Sequence, residues 1–85
     1  MPEISRFLGI VIRMYYRDHT PADFHACYGA YEITVEVESQ VVSGRFPPRA
    51  LRAVLEWSEL HRGELLRDWA LAEQREPLAP IAPLE

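Results

Sequence analysis

Between Asp18 and His25 the chain places two carboxylates, Asp18 and Asp23, and two of its three histidines, His19 and His25. Imidazole and carboxylate are the ligand mixture that zinc, iron or manganese accepts, and a histidine beside an acid can move a proton on a bound substrate near neutral pH. His19, Asp23 and His25 are therefore the candidates for a divalent-metal site and for acid-base catalysis in a hydrolase or nuclease. Nothing else completes either set. No His-Glu-x-x-His helix motif, cysteine pair or glycine-rich phosphate loop accompanies them. An alternating antiparallel strand also gives a solvated polar face in any protein, and that reading outweighs the metal.

Cys27 follows His25 by two residues and shares its expected strand face, but its expected neighbour there is Glu32, and a carboxylate works against a reactive thiolate. It is read as structural. Arg13, Tyr15 and Arg17 alternate on one strand, and cations interleaved with an aromatic on a sheet are one means of gripping single-stranded RNA. Ion pairing across the sheet to Glu32, Glu36 and Glu38 explains the same arginines more simply.

The elements that must position these groups follow from periodicity. Ile10, Ile12, Met14 and Tyr16 alternate with Val11, Arg13, Tyr15 and Arg17, which predicts a strand from Gly9 to Arg17 with the first set facing the core. Thr20-Pro21 turns the chain, because proline biases its predecessor away from helix. Phe24, Ala26 and Tyr28 then alternate with His25 and Cys27, and Tyr31, Ile33, Val35 and Val37 alternate with Glu32, Thr34, Glu36 and Glu38. Gly29-Ala30 between them suits a two-residue type II′ turn, which sets Tyr28 opposite Tyr31, Ala26 opposite Ile33 and Phe24 opposite Val35. His25 then meets Thr34, Cys27 meets Glu32 and Asp23 meets Glu36 on the other face. Val41-Val42 predicts a short fourth strand.

Pro48 suits a first helical position, and Leu51, Val54, Leu55 and Ser58 repeat at helical spacing. The pattern falters at His61-Arg62-Gly63 and resumes through Leu65, Leu66 and Trp69, so a broken helix is expected, with Trp57 and Trp69 as core anchors and His61 capping or packing at the break. Residues 1–76 thus read as one α+β domain, a small antiparallel sheet of about four strands packed on a broken C-terminal helical segment. Residues 77–85 read as an extended proline-rich tail. Its period of three matches polyproline II and aligns Leu78, Ile81 and Leu84 on one edge, which can dock on the chain's own core or on a second protein.

Composition narrows the function classes. The chain has 85 residues, a net charge of -4 and a hydrophobic fraction of 48%, which fits one ordinary folded domain and disfavours a general nucleic-acid role. One cysteine cannot make an internal disulfide, no leader pattern precedes the domain, and the longest apolar run is too short to span a bilayer, so a cytoplasmic protein without a membrane partner is expected.

Pro2, Ile4, Arg6-Phe7, Gly9-Ile10, Met14-Tyr15-Tyr16, Asp18-His19, Pro21, Phe24-His25, Leu55-Glu56-Trp57, His61-Arg62, Glu64-Leu65-Leu66 and Trp69 together resemble a bacterial family known as domain of unknown function 4160. In that family a further histidine commonly stands where this chain has Asp23, so His19 and His25 carry over and the third imidazole does not. The family has no assigned activity. Its members are often encoded beside another small family, domain of unknown function 2442, an arrangement similar to toxin-antitoxin modules. The resemblance therefore implies a protein partner, for which Leu78, Ile81 and Leu84 on the tail and Glu36 on the acidic strand face are the candidate docking residues.

Overall fold

The computed structural model describes residues 2–16 and 21–85. Five strands, β1 (Glu3–Phe7), β2 (Ile10–Arg13), β3 (Asp23–Tyr28), β4 (Tyr31–Glu36) and β5 (Val42–Gly44), form one antiparallel meander in chain order. Two helices follow, α1 (Pro48–Leu60) and α2 (Arg62–Glu73). The arrangement is α+β, with one strand more than the sequence pattern predicts.

The extra strand is β1. It pairs with β2 through a bulge between Glu3 and Ser5, so that Ile4 and Ser5 are buried side by side. A bulge breaks the period of two that marks a strand in sequence. The β1–β2 connection is the two-residue loop Leu8-Gly9, with φ +52° and +77°, the double left-handed pattern of a type I′ turn.

The β3–β4 hairpin has the predicted register at every pair from Asp23 opposite Glu36 to Tyr28 opposite Tyr31. Gly29 supplies the positive φ, +57°, at the first turn position. Phe24, Ala26, Ile33 and Val35 are all buried, so the greasy residues lie on one face and the titratable ones on the other. Ile10 and Ile12 of β2, and Met14 just after it, are buried as expected. Tyr16 is not a core residue. The strand ends at Arg13, and the Tyr16 ring is exposed, its hydroxyl donating to the carbonyl oxygen of Glu76 at 3.2 Å. The fourth predicted strand is displaced by one residue, leaving Val41 exposed.

Both helices cover the apolar sheet face. Val54 and Trp57 from α1 and Leu65 and Trp69 from α2 join the strand residues in one core, and Trp57 packs its ring against Phe7 and Phe24 at centroid distances of 5.4 and 5.7 Å. Pro48 opens α1, and His61 stands at the break between α1 and α2. The backbone ladder continues through the break, since His61 donates to Trp57 and accepts from Leu65.

Residues 77–85 have no regular secondary structure. Of the two surfaces open to the tail, it occupies the chain's own core: Ile81 is buried there, with Leu78 and Leu84 partly buried beside it. Three hydrogen bonds fasten it. Ala79 donates to the Asp68 carboxylate at 2.9 Å, Ile81 donates to the Ile4 carbonyl at 2.7 Å, and the Ala82 carbonyl accepts from the Trp57 indole at 2.8 Å.

Candidate functional site

His25 projects from the centre of β3 onto the polar face, opposite Phe24 in orientation and flanked across the ladders by Arg13 and Thr34. Despite that face being open to water elsewhere, His25 is only 8% exposed. Tyr15 accounts for part of the burial, its ring standing edge-on to the imidazole with centroids 4.2 Å apart. Nδ1 lies 3.1 Å from the Glu32 carboxylate, a diagonal neighbour two residues from the direct cross-strand partner, within reach of a long side chain on a pleated sheet. Nε2 is buried, with no hydrogen-bond partner among the described residues. The Glu32 carboxylate thus orients the imidazole through Nδ1.

Asp23 lies on the same face at the start of β3, half-buried. His19 and Arg17, like Asp18, lie outside the described residues, so the grouping of His19 with Asp23 and His25 does too. Among the described residues no cluster of three or more histidine, cysteine, aspartate or glutamate side chains is placed to hold a metal ion. Cys27 is a partly buried free thiol opposite Glu32.

Arg17 lies outside the described residues, and among them Arg13 makes no ion pair with Glu32, Glu36 or Glu38. Arg13 lies opposite Glu3 and His25, while Glu32 engages His25 and Glu36 accepts from the Ser39 hydroxyl at 2.7 Å. Glu3 is instead held by Arg6 at 2.8 Å, and the hydrogen bond with that guanidinium lowers its carboxyl below the ordinary range. The extra strand β1 places Glu3 opposite Arg13 in the ladder.

His61 does pack at the helix break. Its ring stacks toward Trp57 at 5.6 Å and Nδ1 meets the Glu64 carboxylate at 2.5 Å. Asp68 is a buried carboxylate on α2 that the sequence pattern did not single out. It is 1% exposed, one oxygen receives the Ala79 N–H, and the other is buried with no partner among the described residues. Burial pushes its carboxyl above the ordinary aspartate range, with the Ala79 hydrogen bond opposing and Glu64 adding to the rise. The signal was present: Leu65, Asp68, Trp69 and Ala72 are the buried stripe of α2, and Asp68 occupies an inward position of that stripe.

At the turn end of the sheet, Leu8, Tyr28 and Tyr31 are exposed large apolar side chains, beside two surface hollows along the first turns of α1.

These features define a small α+β domain: a five-stranded meander under a helix pair, with a carboxylate-oriented histidine on its open face. A family model described as Domain of unknown function (DUF4160) matches residues 9–70, and the chain belongs to that family. The match takes in His25, Glu32 and Asp68 and excludes β1 and the tail. No curated protein and no solved structure matches the chain. Among the described residues no helix is long and apolar enough to cross a membrane.

Proposed function

We propose that the protein is a cytoplasmic bacterial component of a two-protein, toxin-antitoxin-like module and acts through protein-protein contact. One observation carries this reading. Leu8 is 70%, Tyr31 49% and Tyr28 37% exposed at a single end of the sheet, besides Tyr16, Val41 and Leu60, which are also exposed, and large apolar groups gathered on a surface mark contact sites. The partner would be the neighbouring gene product of the type suggested by the family resemblance, domain of unknown function 2442. Co-expression of the two proteins followed by size-exclusion chromatography tests it. A shared peak is expected, and two independently eluting monomers would overturn the reading.

A second reading rests on His25. Its Nδ1 contact with Glu32 and its Nε2, buried with no partner among the described residues, support the base of a histidine-dependent hydrolase or nuclease, with His19 and Asp23 as candidates to complete a site or to hold a divalent metal. Elemental analysis of untagged protein and a His19→Ala, His25→Ala double substitution discriminate. Stoichiometric metal, or loss of the cellular phenotype in the double variant, would favour the enzyme. Trace metal with a full phenotype would remove it.

A further inference from the structure

The turn end of the sheet carries a more specific assignment. The apolar row of the inner sheet face runs Phe24 and Val35, Ala26 and Ile33, then Tyr28 and Tyr31. The first two pairs lie buried in the core, whereas the tyrosine pair emerges from it. Phe46 stacks toward Tyr28 at a centroid distance of 6.0 Å, and a Cβ at Gly9 would lie 3.3 Å from the Tyr28 ring, so the Leu8-Gly9 turn abuts the same tyrosine.

Two hollows flank this aromatic pair. One, of about 150 Å³, is lined by Leu8, Tyr28, Arg49 and Ala53. The other, of about 500 Å³, is lined by Tyr31, Arg45, Phe46 and Leu51. Both follow the first turns of α1, from opposite sides of the contact between Tyr28 and Phe46.

Charge says what fits there. Although the chain is net acidic, no aspartate or glutamate lines either hollow. Arg45 and Arg49 are exposed, and among the described residues neither makes an ion pair. The first turn of α1 holds no acidic residue and no side chain caps it, so the positive end of the helix adds to the two guanidinium groups. Glu32, next to Tyr31, faces the other side of the sheet and engages His25.

Leu8 gives a second, independent indication. It is a leucine with φ +52°, at a turn position that favours asparagine, aspartate or glycine, and its side chain is mostly in water. Local choices that work against the fold are expected where a residue serves a contact. Tyrosine, phenylalanine and arginine around small hollows are the composition of interface centres.

We infer that the surface formed by Leu8, Tyr28, Tyr31, Phe46, Arg45 and Arg49 docks an acidic segment of a partner protein, one whose aromatic or large aliphatic side chains enter the hollows while its carboxylates meet Arg45 and Arg49. The inference deepens the contact reading above and rests on it. It names the face and the chemistry of the partner.

Selection of a random-peptide display library on the immobilised full chain tests the assignment. Enriched peptides should carry two or more aspartate or glutamate residues around an aromatic or large aliphatic one. A synthetic copy of the best peptide should shift backbone amide resonances of residues 8–9, 28–31 and 44–50, and should bind at least tenfold more weakly to the Arg45→Glu, Arg49→Glu variant. Both arginines are exposed, and circular dichroism checks that the variant folds; Tyr31→Ser, which leaves the charge alone, should weaken binding as well. Failure to enrich any peptide, enrichment without acidic bias, or equal affinity for the reversed-charge variant would each overturn the proposal. So would a single-stranded RNA oligonucleotide that perturbs these amides when no acidic peptide does. A co-expressed complex indifferent to the arginine reversals would sink this docking face while leaving the contact reading intact, and enrichment of acidic peptides without any complex would do the converse.

Discussion

The indole N–H of Trp57 donates to the backbone carbonyl of Ala82 at 2.8 Å, so the largest side chain of the core is completed by a residue of the proline-rich tail. Trp57 is fully buried against Phe7 and Phe24 on its other sides. An indole donor left without its acceptor in that setting loses its hydrogen bond and retains its burial, which costs about 1–3 kcal/mol. Removing residues 77–85 also takes the buried Ile81 out of the core. The truncated chain should therefore be less stable by several kcal/mol, and Ile81→Ala alone by about 2–5 kcal/mol, measured by urea unfolding. A truncation that unfolds at the parental urea midpoint would show the strap to be ornamental.

Asp68 makes stability depend on pH with a sign opposite to that of most paired carboxylates. Its folded-state value is raised by burial above the ordinary 3.8, so the folded chain holds the proton more tightly than the unfolded one. The associated stability is fully present below that ordinary value and is lost as pH rises through the folded value. Asp68→Asn keeps an acceptor for the Ala79 N–H and removes the titration. Thermal melts from pH 3.5 to 7.5 should show the variant gaining on the parent as pH rises, and parallel curves would refute the assignment.

Gly44 has φ +110°, and a Cβ there would stand 2.7 Å from the Glu32 carbonyl oxygen. The obstacle is backbone in the neighbouring strand, which cannot swing aside. Gly44→Ala should cost more than about 1 kcal/mol and detach β5, seen as increased amide exchange at Thr34 and Glu36. Gly63→Ala, with nothing near its Cβ, should instead stabilise α2 by about 0.5–1 kcal/mol.

Leu8→Asn should separate stability from docking. Asparagine tolerates the left-handed turn conformation that costs leucine about 1–2 kcal/mol, so the melting temperature should rise while affinity for an acidic peptide falls. A variant that binds as well as the parent would indicate that Leu8 is outside the contact.

How much of this was legible beforehand depends on the kind of signal. The β3–β4 register could be counted outward from Gly29-Ala30 because a two-residue turn leaves no slack, and the placement of His25 opposite Phe24 followed from it. The helix break at His61 was readable from the lapse in periodicity. β1 was hidden by its bulge at Ile4, although Leu8-Gly9 between two apolar runs was a turn signal of the same kind as Gly29-Ala30. Which carboxylate engages His25 was not readable, since Glu32 reaches it diagonally and pairwise counting names only Thr34. Nor was the docking end visible, because Leu8, Tyr28, Phe46 and Arg49 come from four segments that meet only once the sheet and α1 are assembled.

Ile81 donates its N–H to Ile4 on the outermost strand β1. An uncovered outer strand is a template on which another molecule can add its own, the first step toward a fibre. At the opposite margin, β5 is three residues long and ends in glycine, too short to recruit efficiently. Proteolytic loss of the last residues would therefore do more than soften the domain: it would open a growth edge, and clipped protein should gain β-rich aggregates that the intact chain resists.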